Sequence, residues 1–323
     1  MSRRRCSVFR VRVWVVLCVL LSAWGSALAS GSAASAAPFA SRDYTGHLTS
    51  GRLLRSYVVH LPPAHATPAG LPVVLALHGR WQNVTGMEEL THLDEVADAD
   101  GFAVVYPASV FLGWSDSRDA TWASRLGVDD VGFIRDLIDH LIGTDHADAA
   151  RVYATGFSNG AIMTELLGCE LADHLAGIAM VAGTMPVAMS PSCHPRRPLP
   201  VMMINGMEDP LIPYEGGASG VHGNQAALLS VADTAAKWRT VDSCIGDHVR
   251  SLPPVPGDRT ATRVEDAVTC HGATQVEVYT VSNGGHTWPG GKQYLPPSLV
   301  GLTTTQLDAS EAAWTFFRTH AAG

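Results

Sequence analysis

The sequence predicts an α/β fold, a mostly parallel sheet covered by helices on both faces in a single domain, and three observations carry that reading. Short apolar runs bounded by turn residues alternate with segments whose apolar positions recur every three to four residues, along the whole chain. The run Pro72-Val-Val-Leu-Ala-Leu77 is continuously apolar, as a strand buried on both faces must be. A content of 46% hydrophobic and 16% charged residues in 323 is that of a globular protein able to bury a full core.

The first segment stands apart. Arg3, Arg4, Arg5, Arg10 and Arg12 precede the apolar run Val13 to Leu21, and Ala27-Leu-Ala29 is a small-x-small cleavage site. Residues 1–29 therefore read as a signal peptide and the protein as secreted and extracellular. Cys18 lies inside that run behind Leu17, not after a small residue, so it is signal core and no membrane anchor. No second apolar stretch is long enough to span a bilayer. Residues 30–43, rich in Ser, Gly and Ala, read as a flexible tether, and the catalytic domain is expected over 44–323.

Taken in order, Arg52 to Leu61 predicts an edge strand ended by Pro62-Pro63, and the strand at 72–77 ends in His78-Gly79. Met87 to Ala99 predicts a helix with Leu90, Leu93 and Val96 on one side, closed by Gly101 before the strand Phe102 to Tyr106. Asp130 to Ile142 predicts an acid-capped helix carrying Phe133, Ile134, Leu137 and Leu141 inward. Ile178 to Val181, Val201 to Ile204 and Val276 to Val281 predict strands, with a helix over Gln225 to Trp238. The Pro-rich stretch Leu252 to Asp266 predicts an irregular surface excursion. Asp308-x-x-Glu311 caps a closing helix that buries Trp314 and Phe317.

Between these lies Arg151-Val-Tyr-Ala-Thr-Gly-Phe-Ser-Asn-Gly160, where strand formers stop at a serine and Ile162, Met163, Leu166 and Leu167 follow at helical spacing. A serine on such a turn is strained and exposed, and the residues two before and two after it must be small. Both are glycine. Ser158 is the candidate nucleophile, with the Asn159 backbone N–H and the helix dipole facing any oxyanion formed there.

An activated serine needs a neutral imidazole and a carboxylate to orient it. Asp209 follows the strand at 201–204, with Glu208 as its competitor. Of seven histidines after Ser158, His286 alone combines a preceding strand with a glycine-rich turn. The chain order Ser158, Asp209, His286 is that of the α/β-hydrolase fold. The Arg80 backbone N–H in Leu77-His-Gly-Arg-Trp81 is the expected second oxyanion donor, with Trp81 as the alternative and His78 read as structural. Trp81, Trp114 and Trp288 are candidate walls of a substrate groove. Asn83-Val-Thr85 matches a glycosylation sequon.

Outside the leader, Cys169, Cys193, Cys244 and Cys270 are an even number in an exported chain, which implies two disulfides. Pairing 169–193 with 244–270 closes two local loops of roughly 25 residues, each worth about 3 kcal/mol of loop entropy. Neither Cys nor His spacing resembles a zinc site, so no metal and no cofactor is expected. The net charge of -8, without basic runs beyond the leader, argues against a nucleic-acid partner.

Leu77-His-Gly79, Val128-Asp-Asp-Val-Gly-Phe133, the Ser158 turn, Asp209-Pro-Leu-Ile-Pro-Tyr214 and Gly284-Gly-His-Thr-Trp-Pro-Gly290 together resemble the secreted esterase family of polyhydroxybutyrate depolymerases and feruloyl or acetylxylan esterases. The resemblance runs from about Tyr44 to the C-terminus and implies nucleophile, acid and base at Ser158, Asp209 and His286. The chain departs from the family's pattern at Arg80-Trp81, where relatives carry a small residue or cysteine, and at Asn205, where they carry histidine. The expected function is a monomeric, cofactor-free serine esterase. Its substrates would be hydroxybutyrate oligomers, amorphous polyester and short-chain esters, with feruloyl or acetylxylan esterase activity as the alternative. A catalytically silent binding protein of the same fold is the reading from another class. No appended polymer-binding domain is expected after the closing helix.

Overall fold

A computed structural model describes residues 42–63, 70–144, 147–219 and 226–322. The expected signal peptide, residues 1–29, and nearly all of the expected tether lie outside the described residues. Strands are β1 (Arg42–Ser50), β2 (Leu53–Leu61), β3 (Leu71–Leu77), β4 (Ala103–Pro107), β5 (Ala147–Phe157), β6 (Gly177–Val181), β7 (Val201–Gly206), the two-residue β8 (Gly217–Ala218) and β9 (Ala227–Leu228), β10 (Ile245–Ser251), β11 (Ala261–Thr269) and β12 (Val276–Ser282). Helices are α1 (Val84–Thr91), α2 (Leu93–Asp100), α3 (Trp122–Arg125), α4 (Asp130–Thr144), α5 (Asn159–Glu170), α6 (Val231–Val241), α7 (Pro297–Val300) and α8 (Ala309–Phe317).

Ten strands form one sheet in the order β1-β2-β4-β3-β5-β6-β7-β12-β11-β10. The six from β4 to β12 in that order run parallel, and antiparallel pairs flank them on both sides. Because successive side chains of a strand point to opposite faces, the parallel strands build two cores at once. Val73, Leu75 and Leu77 of β3 face a layer with Phe133 and Leu137 of α4, Ile162 of α5 and Trp238 of α6. Val74 and Ala76 face the other, with Leu90 of α1, Val96 of α2 and Trp314 and Phe317 of α8. There Phe102 stacks on Trp314 with ring centroids 4.0 Å apart, and Tyr153 on Phe317 at 4.7 Å. The fold is the α/β-hydrolase fold in a single domain.

Four expectations differ in detail. The edge strand is β1, paired with β2 along its whole length from Arg42. The helix expected over Met87 to Ala99 is two, because His92 takes a left-handed conformation and its N–H closes α1 on Glu88 O. The helix expected from Gln225 begins at Val231, where the Ser230 side chain caps it by accepting the Asp233 N–H at 2.9 Å. The stretch Leu252 to Asp266 is irregular only as far as Thr260. From Ala261 it is β11, which turns Val264 and Ala267 inward and joins β10 to the sheet. Both disulfides pair as expected, Cys169 with Cys193 and Cys244 with Cys270.

Candidate active site

The carboxyl ends of β3, β5, β7 and β12 meet at one edge of the sheet, at the point where the chain, having laid β4 on one side of β3, returns to lay β5 on the other. Such a switch point leaves a crevice above the strand ends. Ser158 stands there at φ 57° and ψ −116°, between the last residue of β5 and the first of α5. The flanking glycines are required by space: a Cβ on Gly160 would lie 2.1 Å from Leu77 O, and one on Gly156 2.3 Å from Gly160 O. Strand, turn and helix therefore approach closer than any side chain permits.

Asp209 and His286 come from the loops after β7 and β12. The Asp209 Oδ1 accepts the Leu211 and Ile212 N–H groups, both at 2.8 Å, which fixes the carboxylate, and its Oδ2 lies 2.7 Å from His286 Nδ1. With Nδ1 donating to the carboxylate, Nε2 is left as the acceptor nitrogen. Both side chains are buried. Glu208 is exposed and only its backbone takes part, donating to Gly284 O at 2.9 Å. Gly206 lets the two loops touch, since a Cβ there would lie 2.4 Å from Gly284 O, and Gly285 lets the second loop pack on α7, since its Cβ would lie 2.0 Å from Val300 O.

Ser158 and His286 line a cavity of about 310 Å3 together with Phe157, Leu211, Tyr294, Leu295 and the loop residues Gly79 to Gln82. The loop after β3 is shaped by Gln82, whose Oε1 accepts the Gly79 N–H at 2.9 Å. The Trp81 N–H is spent on Leu112 O at 2.8 Å, whereas the Arg80 N–H has no partner among the described residues. His78 is buried outside the cavity, bonded to Gly79 O and to the Ser109 N–H, and burial holds its pKa below the ordinary histidine value. Asn205 donates to Gly183 O, and Asn83 caps α1. A serine, an imidazole and a carboxylate so disposed can carry acyl transfer through a covalent intermediate. Among the described residues no cluster of His, Cys, Asp or Glu suits a metal ion, and no helix is long and apolar enough to cross a membrane.

The family model for esterase PHB depolymerases matches residues 55–234, the part of the chain that supplies Ser158 and Asp209. The chain belongs to the esterase PHB depolymerase family. Putative esterase NocK of Nocardia uniformis subsp. tsuyamanensis is 34% identical over 271 residues, 81% of this chain and 78% of that one. Feruloyl esterase B of Piromyces equi is 26% identical over 74% of this chain, which spans only 44% of that relative. Poly(3-hydroxyalkanoate) depolymerase C of Paucimonas lemoignei is 30% identical over 38% of this chain and 30% of its own. Among solved structures, acetyl xylan esterase from Aspergillus awamori shares the fold, with a TM-score of 0.53 at 14% identity over 76% of this chain and 94% of that one.

Two of the three tryptophans expected to wall the groove of this esterase lie elsewhere. Trp114 is fully buried with its indole N–H on His78 O at 2.9 Å, and Trp288 is fully buried with its N–H on Ser310 Oγ at 3.1 Å. Each indole is turned into the protein, where its polar atom is satisfied and its rings pack. Trp81 does line the cavity and is 67% exposed. The sequence reading missed Tyr294, whose hydroxyl donates to His286 O at 3.1 Å and whose phenol is pushed well above the usual range by burial and by Asp209. It missed as well the role of the Asn159 side chain, which holds the 114–118 loop by accepting the Trp114 N–H at 2.8 Å and donating to Asp116. Tyr294 follows no motif that marks it in the chain, and the turn motif marks Asn159 for its backbone N–H and not for its side chain.

Proposed function

We propose that this protein is a secreted, cofactor-free serine esterase acting through an acyl-enzyme. Ser158 Oγ attacks the ester carbonyl, His286 takes the hydroxyl proton and delivers it to the leaving alcohol, and Asp209 orients His286 and stabilises the imidazolium. The Asn159 and Arg80 N–H groups are the oxyanion donors. The observation that carries this reading is the buried Asp209–His286 pair, 2.7 Å apart, opening with Ser158 on one cavity. The free Arg80 amide beside the spent Trp81 amide supports the choice of oxyanion donor. The leader sequence and the two disulfides support export.

For substrates we propose hydroxybutyrate oligomers, amorphous polyester and short-chain esters. In support, the cavity wall is largely apolar, and Trp81, Leu112 and Leu295 are exposed at or beside its mouth, a surface that suits a hydrophobic chain. The second reading, a feruloyl or acetylxylan esterase, is favoured by Trp81 and Tyr294, two aromatic rings available to a hydroxycinnamoyl group. One panel decides between them: 4-nitrophenyl butyrate, methyl ferulate, acetylated xylan and amorphous polyhydroxybutyrate, with products identified. Release of ferulate without hydroxybutyrate oligomers would reverse the order. Stoichiometric labelling of Ser158 by an organophosphonate is expected, and an intact but unlabelled protein would make the fold a binding module instead.

A further inference from the structure

The loop after β3 places a cation where the reaction has no evident use for one. Arg80 lines the same cavity as Ser158 and His286, and its guanidinium lies over the Trp81 ring, 4.5 Å from the centroid. Stacking on an indole fixes the plane of the fork while leaving its N–H edges free. Among the described residues no carboxylate pairs with it and its side chain makes no hydrogen bond. The carboxylate that bears on it, Asp116, is buried and already engaged by Arg118 Nε at 2.9 Å, by the terminal guanidinium nitrogen of Arg118 and by the Asn159 amide. Burial and the neighbouring Arg118 charge hold the Arg80 pKa below the ordinary arginine value, with Asp116 opposing and Arg125 adding to that push. A guanidinium keeps its charge regardless. The result is an excess of positive charge at the mouth of one cavity in a chain whose net charge is -8.

We infer that Arg80, held on Trp81, is a carboxylate subsite that selects esters bearing a free carboxylate close to the scissile bond, such as the free-acid end of a short hydroxyalkanoate oligomer. This rests on the serine-esterase reading. A planar fork without a partner matches a carboxylate in two parallel hydrogen bonds. Its position matches as well, because the side chain springs from the residue whose amide is proposed to hold the oxyanion. A carboxylate three bonds beyond the ester oxygen, as in a 3-hydroxyacyl leaving group, then falls within one side chain's length of the reacting carbonyl. Hydrolysis of that ester consumes one water and releases the terminal hydroxy acid, whose alkoxide takes its proton from the imidazole.

The test compares the linear dimer of 3-hydroxybutyrate, as free acid and as methyl ester, on the wild type, Arg80→Gln and Arg80→Lys, with 4-nitrophenyl butyrate as a general ester. The expected result is a kcat/KM for the free acid about tenfold or more above that for the methyl ester in the wild type. That ratio should fall to near one in Arg80→Gln, be partly kept in Arg80→Lys, and shrink in the wild type as salt is raised. In the wild type alone, 3-hydroxybutyrate should inhibit competitively and more strongly than its amide. A ratio equal in wild type and Arg80→Gln, with all three esters hydrolysed, would overturn the subsite and leave the esterase reading standing. Failure to hydrolyse any of the three would overturn both.

Discussion

The backbone of Ser158 is the most exacting single feature of the site. Its φ of 57° with ψ of −116° is a state that a Cβ resists and glycine accepts. Ser158→Ala and Ser158→Gly both remove the hydroxyl and should each lose several orders of magnitude of kcat. Ser158→Gly should nevertheless be the more stable of the two by about 1 kcal/mol, because only glycine relieves the turn. Denaturant midpoints of the two variants check this, and equal midpoints would show that the turn stores no strain. The tryptophans separate in the same way. Trp81→Ala, at an exposed position, should leave stability within about 0.5 kcal/mol and raise KM for oligomeric and aromatic esters. Trp288→Ala should cost roughly 3–5 kcal/mol through the cavity it leaves between the loop after β12 and α8. Thermal melts beside KM values distinguish them, and a Trp288 variant of unchanged stability would return that indole to the groove. The glycines around Ser158 were legible in the sequence because sterics leave one residue type at 156 and 160. Which indole reaches the cavity was not, because two residues of separation from His286 say nothing about the direction in which a ring turns.

Among the elements, α5 has the least conventional surroundings, since it is packed between the sheet and its neighbours and buries nearly every side chain, including Glu165. That carboxyl accepts the Trp238 indole N–H at 2.8 Å through Oε1, while Oε2 has no partner among the described residues, and burial raises its pKa to about 8. An unfolded glutamate titrates near about 4.3, so the folded state holds its proton more tightly than the unfolded chain. The contribution to stability is fully present below the unfolded value and is lost as pH rises through about 8. Each unit of separation is worth about 1.4 kcal/mol, so the loss is large enough to measure. Glu165→Gln keeps an acceptor for Trp238 and removes the titration. The wild type should therefore lose stability relative to Glu165→Gln between pH 5 and pH 8, and a constant difference in urea midpoints over that range would refute the account. Elements differ in how far the chain announces them. The parallel strands were plain because two-sided burial forces continuous apolar runs. The hairpin of β10 and β11 was not, because its positions carry charges that pair across the two strands, as Arg250 does with Asp266 at 3.6 Å, and such alternation resembles a loop.

At the scale of the whole molecule, the sheet order brings together four strand ends that lie far apart in the chain, and the two disulfides reinforce the layers beneath them. Cys169 ends α5 and ties it to Cys193, and Cys244 ties the start of the added hairpin to Cys270. The bridges close loops with sequence separations of 24 and 26 residues. In the loop-entropy account, which is model-dependent, each restricts the unfolded chain by about 3 kcal/mol. None of the four cysteines lines the cavity that holds Ser158 and His286. Stability and chemistry should therefore part company when a bridge is removed. Replacing Cys244 and Cys270 together with serine is expected to lower Tm by on the order of 5–10 °C for a domain of this size. The kcat for 4-nitrophenyl butyrate, measured well below that Tm, should stay within about twofold of the wild type. The Cys169 and Cys193 pair makes the sharper comparison, because it is anchored on the helix that carries Ser158 at its other end. Removing it should lower Tm to a similar degree, and if α5 is held mainly by its packing against the sheet, kcat should again be kept. A fall in kcat of more than about tenfold at a temperature where the folded state is fully populated would mean that the bridge positions Ser158, and that the close approach of Gly160 to β3 is not enough to hold it in place.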